Sequence, residues 1–338
     1  MHSFTSNSSF GWSIWKDRSV RILLITVILI GLTAFISYDK RDPSRQSSAV
    51  EDRFWVLKTH LLRTEYNMVI VGDSRVYRGF SPRAMNSVLP GYRIINIGFK
   101  SGGLSRLMLK KAESLLNPEA KTRIVILGVT PHSLTPVAEK NEHYFSIKKW
   151  SRLEALEKVY LVRLRTLFMP VSRDELVNLL TLRKESDHAR LHQVFEDDGW
   201  VASWFEVPQP EAALAEYKRG FRSNQVHPDL CEDLFQIVQE WKSEGIQAFG
   251  LRPPTTRAMV ALENSISGFN ETQFVEGFRK AGGIWLTFNP DDYFSYDGSH
   301  LEPESARKIS RDLAEKIRSY LERERGVEDT ALKRVDDR

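Results

Sequence analysis

Short, mostly apolar runs alternate with amphipathic stretches along most of this chain. The runs fall at Met68–Val71, Arg93–Ile97, Ile124–Val129, Gln247–Leu251 and Ile284–Phe288, and each ends in a turn. Apolar residues at helical spacing follow at Leu104–Leu116, Leu230–Glu244, Glu271–Ala281 and Pro303–Glu322. A strand buried on both faces reads as a continuous apolar run, so this alternation predicts a parallel sheet with helices on either side. The expected fold is doubly wound α/β with a mainly five-stranded sheet, occupying residues 54–324.

Three segments break that rhythm. Ile22–Tyr38 (ILLITVILIGLTAFISY) carries no charge, with Trp12 and Trp15 before it and Tyr38 closing it. A bilayer core needs about 17–25 such residues, with aromatic residues at the interfaces. It is read as one uncleaved transmembrane helix, because no small-x-small cleavage site follows directly. Residues 1–21 would then be cytoplasmic and the bulk of the chain extracytoplasmic, in a periplasm if the cell has one. Residues 39–53 are polar and Ser-rich, as a juxtamembrane linker would be. The excursion at about 135–228 is helical in pattern (RLEALEKVYLVRLRTLF, then ELVNLLTL) and is expected to roof the sheet. Its Trp200, Trp204 and Phe205 would either pack under the roof or stack on sugar rings. Beyond Glu324 the chain is charged and aperiodic, so 325–338 is expected to fray.

Composition narrows the function classes. The chain has 338 residues and a formal net charge of +4, too weak an excess to argue for nucleic acid. Cys231 is the lone cysteine, which excludes an intramolecular disulfide and a cysteine-based metal site. No standard glycine-rich phosphate loop is present. No metal or cofactor is expected.

The chemistry concentrates where strands end. In open α/β sheets ligands bind beyond the carboxyl ends of the strands. The first run delivers Gly72-Asp73-Ser74 to that edge. A serine hydroxyl becomes a nucleophile when a base takes its proton and a third group holds the base in the right tautomer. Among eight histidines, His300 in Tyr296-Asp297-Gly298-Ser299-His300 follows the last strand and precedes the last helix. Asp297, three residues earlier, can fold back onto the imidazole. Asp297 and Ser299 could equally serve as helix caps, but capping leaves His300 unexplained. His132 after the third strand, Arg75 beside the serine and Arg252 in Leu251-Arg252-Pro253-Pro254 are weaker candidates for contacting substrate.

A first strand ending in Gly-Asp-Ser and a last helix preceded by Asp-x-x-His resembles the SGNH (GDSL-like) hydrolases, over about Asn67–Tyr320 less the insertion. The Gly-Asp-Ser-Arg form is similar to membrane-anchored bacterial members associated with cell-envelope polysaccharides. The resemblance implies a flavodoxin-like SGNH fold, with Ser74 as nucleophile, His300 as base and Asp297 as its orienting carboxylate. It also implies an oxyanion hole. The Ser74 amide would be one donor, and a glycine after the second strand, Gly102 or else Gly103, the next. The third donor is an asparagine in the family, and here Thr130 stands in its place.

The function expected from these residues is an extracytoplasmic serine esterase or O-acyltransferase. It would act through an acyl-enzyme on acyl esters, O-acetyl groups first, of cell-envelope glycans. The rival is a non-catalytic binding or scaffold subunit of a polysaccharide export or modification system. Expected partners are the membrane, an acylated glycan and other polysaccharide-assembly proteins, with no nucleic acid.

Overall fold

The computed structural model describes residues 18–39, 48–161 and 191–336. Its centre is a five-stranded sheet in the order β2-β1-β3-β6-β7. The strands are β1 (Met68–Gly72), β2 (Ile94–Asn96), β3 (Arg123–Gly128), β6 (Ile246–Leu251) and β7 (Ile284–Trp285), all parallel. Parallel neighbours need crossovers, and the helices supply them. Met68, Ile70, Ile124 and Ile126 point into one core, Val69, Val71, Val125 and Leu127 into the other. Both faces are therefore covered, which is why these strands lack a polar alternate position. The fold is α/β with helices on either side of a parallel sheet, compatible with a flavodoxin-like arrangement.

In chain order the helices are α1 (Arg18–Asp39), α2 (Ser48–Val56), α3 (Ser74–Gly79), α4 (Pro82–Asn86), α5 (Arg106–Ser114), α6 (Pro136–Lys140), α7 (Glu142–Lys148), α8 (Arg152–Leu156), α9 (Leu214–Gly220), α10 (Pro228–Ser243), α11 (Arg257–Ile266), α12 (Glu271–Lys280) and α13 (Pro303–Asp336). Leu109 of α5, Ile237 and Trp241 of α10 and Phe278 of α12 fill one core. Val76 of α3, Met85 of α4, and Ile309 and Leu313 of α13 fill the other. Helix α13 continues to Asp336, past the Glu324 where fraying was expected.

The two edge strands are shorter than their apolar runs. β2 stops at Asn96, whose buried amide leaves the ladder and donates to the carbonyls of Val76 and Phe80, at 2.9 and 2.8 Å. β7 stops at Trp285, and the chain turns away through Asn289-Pro290.

The insertion differs from its helical expectation. It holds short helices α6–α8, then an antiparallel hairpin, β4 (Leu191–Phe195) with β5 (Val201–Phe205). The turn between them carries Asp198-Gly199, with Gly199 at φ +87°. An Asp-Gly pair between β-branched and aromatic residues is a hairpin signal, which the helical period upstream obscured. The stretch ELVNLLTL, at 175–182, lies outside the described residues. The insertion also meets the turn before α13: the amides of Gln209 and Ala213 donate to the carbonyls of Tyr296 and Asp297, at 2.6 and 3.0 Å.

Helix α1 exposes apolar side chains from Ile22 to Ile30. Among the described residues no helix is long and apolar enough to cross a membrane. The side chains of 32–39, most of the second half of the expected span, lie outside the described residues.

One packing constraint sets the whole edge. Gly72 and Gly128 are register partners at the ends of β1 and β3. A methyl on Gly128 would sit 2.1 Å from Val76 Cγ2, and one on Gly72 2.3 Å from the same atom. Overpacking of a rigid core typically costs about 1–3 kcal/mol. Gly128→Ala should therefore lower the melting temperature, and Val76→Ala added to it should recover much of the loss. A Gly128→Ala protein melting like the parent would show that Val76 does not constrain this crossing.

Candidate active site

The sheet reverses direction of growth between β1 and β3: β2 lies to one side of β1, and β6 and β7 lie beyond β3. Such a switch point leaves a crevice at the carboxyl ends of the two strands. Ser74 follows β1 there, as the first residue of α3. Asp73 caps that helix, its Oδ1 accepting from the Arg75 amide at 2.9 Å.

The structure brings together the three residues singled out by the sequence. Ser74 Oγ lies 2.8 Å from His300 Nε2. His300 Nδ1 lies 2.7 Å from Asp297 Oδ2. The other carboxylate oxygen of Asp297 accepts from the amides of Ser299 and His300, at 2.8 and 2.7 Å. These amides fix the carboxylate, the carboxylate fixes the ring, and Nε2 is left facing the serine. Gly298 makes the turn possible: its φ is +92°, and a methyl there would lie 2.1 Å from the Pro210 carbonyl oxygen.

Electrostatics favour an ionised Asp297 beside a neutral imidazole. Burial would raise the Asp297 pKa, but the His300 contact and the two amides hold it at about 2. Burial, followed by the Arg78 cation, pushes His300 below its ordinary value, with Asp297 pulling the other way. A neutral ring can accept a proton, which is what a base for Ser74 requires. Arg78 itself donates to the Tyr296 hydroxyl at 3.0 Å, and the Tyr296 ring stacks on His300 with centroids 6.0 Å apart.

The expected oxyanion donors fare differently. Among the described residues none accepts from the Ser74 amide, which stays available. The Gly102 amide is committed to the Phe99 carbonyl at 3.1 Å. Gly103 packs against α6, where a methyl would meet the Ala138 carbonyl at 2.7 Å. Thr130 is fully buried, and its hydroxyl donates to Asp73 Oδ2 at 2.5 Å. Thr130 thus holds the capping carboxylate of the nucleophile turn, and its single proton is not free for a substrate. An asparagine, which stands at this place in the hydrolases the sequence resembles, has two amide protons and could do both. Ser101, which the sequence reading passed over, has a left-handed φ of +51° on the same turn beyond β2.

The candidate substrate contacts are also reassigned. Arg75 is buried and donates to Glu263 and to Ser299 Oγ, at 2.6 and 3.0 Å. Arg252 donates to Glu263, Glu271 and Asn264, at 2.8, 2.6 and 3.0 Å. Both guanidinium groups are engaged by carboxylates of the protein, and the donors left over, Arg75 Nη1 and Arg252 Nε, are buried. His132 is largely buried, which lowers its pKa, with Asp73 opposing and Arg75 adding to the shift. Glu263 lies on α11, a helix with no counterpart among the predicted ones, so the sequence reading missed it.

No family model matches the chain, and no curated protein matches it either. Among solved structures, one described as "a putative platelet activating factor from Streptococcus pneumonia" aligns with 89% of this chain and 99% of its own. The two share 10% identity, with a TM-score of 0.36. A likeness of that size carries no argument about chemistry, which rests on the geometry above.

The Thr130 hydroxyl gives a direct test. Thr130→Val leaves a buried Asp73 oxygen without its donor, a loss of about 1–3 kcal/mol. Stability should fall accordingly. The kcat on a small acetyl ester should fall by less than the roughly 100-fold or more of a lost oxyanion donor. Unchanged melting with a hundred-fold slower turnover would return Thr130 to the oxyanion hole.

Proposed function

We propose that this protein is a serine esterase or O-acyltransferase of the SGNH type, acting on acyl esters of cell-envelope glycans. The observation that carries the reading is the continuous chain from Ser74 Oγ to His300 Nε2 (2.8 Å) and from His300 Nδ1 to Asp297 Oδ2 (2.7 Å). In this reading Ser74 Oγ attacks the ester carbonyl carbon while its proton passes to Nε2. The electron pair of the carbonyl moves to oxygen, where the Ser74 amide donates. Collapse of the adduct expels the alcohol, which takes the proton from His300, and leaves an acyl-serine. Water or a sugar hydroxyl then attacks that ester with His300 again taking the proton, and collapse of the adduct breaks the acyl–Oγ bond, releases the acid or the new ester, and returns the proton from His300 to Ser74 Oγ. Asp297 keeps Nδ1 protonated and the ring oriented throughout.

A cleft that shares Tyr296 with the surroundings of His300, though Ser74, Asp297 and His300 do not line it, supports a bulky, ring-containing substrate. An open cleft of about 540 Å³ is lined by Trp204, Phe205 and Tyr296 among others. Tyr296 is shared: one side bounds the cleft and the ring stacks on His300. Glu196, Glu206, Glu302 and Glu304 also line it, against the single cation Arg307. That balance disfavours a polyanion and suits a neutral or amine-bearing acylated glycan. Trp200 takes no part, since it is buried with its Nε1 donating to the Arg78 carbonyl.

The rival reading, a binding or scaffold subunit that keeps the fold without turnover, has one observation in its favour. The Gly102 amide and the Thr130 hydroxyl are both engaged within the protein, which thins the oxyanion hole. A fluorophosphonate separates the two. Labelling of Ser74, lost for the most part in His300→Ala, is the expected result. An unlabelled parent protein would favour the scaffold.

The envelope assignment also rests on α1, whose apolar side chains face outward over Ile22–Ile30, as those of a membrane anchor would. A reporter fused after Arg338 should be active only outside the cytoplasm. Cytoplasmic activity of that fusion would remove the membrane anchor and the envelope substrate together.

A further inference from the structure

The Ser74–His300 contact joins two turns 226 residues apart in sequence, and something must hold those turns in register. The residue after the nucleophile and the residue before the base are themselves in contact. Arg75 Nε donates to Ser299 Oγ at 3.0 Å. Ser299 Oγ donates onward to the Tyr217 hydroxyl at 2.9 Å, and the Arg75 guanidinium lies over the Tyr217 ring, 4.9 Å from its centroid. The Ser299 amide donates to Asp297, the carboxylate that orients His300. Arg75 in turn is fixed from behind by Glu263, at 2.6 Å, and Glu263 is shared with Arg252, at 2.8 Å. Each of these elements comes from a different part of the fold: the β1 turn, the β6 loop, α11, α9 of the insertion, and the turn before α13.

We infer that Arg75, held by Glu263, is a positioning residue that clamps the nucleophile turn to the base turn through Ser299. This rests on the reading of Ser74 and His300 as nucleophile and base. Stability alone is a poor account of the arrangement. Buried ion pairs seldom exceed the cost of desolvating their charges, and apolar residues of similar size often do as well or better. Arg75 Nη1 is moreover buried without a hydrogen-bond partner, a cost of its own. A guanidinium does offer a rigid planar fork with N–H bonds in fixed directions. Here one arm takes a carboxylate on α11 and another a hydroxyl on the base turn, so the distance between the two turns is set by a single rigid group. Lysine, with a point charge on a flexible stem, cannot span both.

Two variants test this without stranding Glu263. Ser299→Ala removes the hydroxyl and leaves the Arg75–Glu263 pair intact. Arg75→Lys keeps a cation opposite Glu263 but gives up the fork. Both should fold, with melting lowered no more than in Thr130→Val, since each leaves a buried polar group without a partner. Both should lose kcat on a small acetyl ester by about 10–100-fold, the scale of a misplacement near 1 Å, with KM little changed. The double variant should be no slower than the slower single, because the two changes break one link. The downfield Nδ1–H proton signal of His300, assigned by its absence in His300→Ala, should be sharp in the parent and broadened in both variants. That signal does not depend on turnover. A parent with a sharp signal, broadened in the variants, but with no ester turnover would overturn the esterase reading and keep the clamp. Variants with parental kcat and a parental signal would overturn the clamp. Losses of kcat that multiply in the double variant would also overturn it.

Discussion

The whole edge depends on how closely α3 can cross the ends of β1 and β3. Gly72 and Gly128 lie side by side in register, and Val76 fills the space that two side chains would otherwise occupy. This crossing turns the chain sharply enough for the residue two after Gly72 to stand at the strand ends with its hydroxyl at the crevice. Two further buried groups then hold the turn. Thr130 reaches across from β3 to Asp73, and Asn96 reaches from β2 to the carbonyls of α3. The three strands of the switch point thus each contribute one element to the placement of a single serine.

The sheet and the triad were legible in the sequence for the same reason. Strands buried on both faces are uniformly apolar, so their ends are sharp, and chemistry placed at those ends is exposed to view. Ser74 sits just past the end of β1, and Asp297 and His300 lie just ahead of the first turn of α13. The hole and the charged side chains were less legible because their roles depend on third parties. Whether the Thr130 hydroxyl points at a substrate or at Asp73 is decided by a residue 57 positions away. Whether Arg75 and Arg252 are open or occupied is decided by Glu263, a buried carboxylate on α11. The hairpin at Leu191–Phe205 was missed because the helical pattern ahead of it set the expectation, although Asp198-Gly199 marked the turn.

Charge at this site is spent on geometry and is largely cancelled by its own surroundings. Arg75 and Arg252 face Glu263 and Glu271, two cations against two carboxylates. Burial of such a group would be costly with any member missing, so the cluster is held as a unit. The remaining charge imbalance lies elsewhere, around the cleft beside Tyr296, where Glu304 pairs with Arg307 and Glu196 with Arg83 but Glu206 and Glu302 add negative charge. The reacting centre and the cleft therefore present different faces: a neutral imidazole and hydroxyl at one, and an acidic, aromatic wall at the other.

The long sequence separation between Ser74 and His300 also has a meaning in time. A ribosome adds about 5–20 residues per second, so the 226 residues between them take roughly 10–45 s to make. Once β3 has followed, the serine turn can form against β1 and β3, yet its hydroxyl still has no imidazole beside it. The base arrives on the last turn before the final helix, and the insertion that grips that turn through Gln209 and Ala213 has by then been made. A nascent chain, or one truncated before His300, therefore lacks the contact between Ser74 and His300, which forms only once the turn at Asp297–His300 has been made.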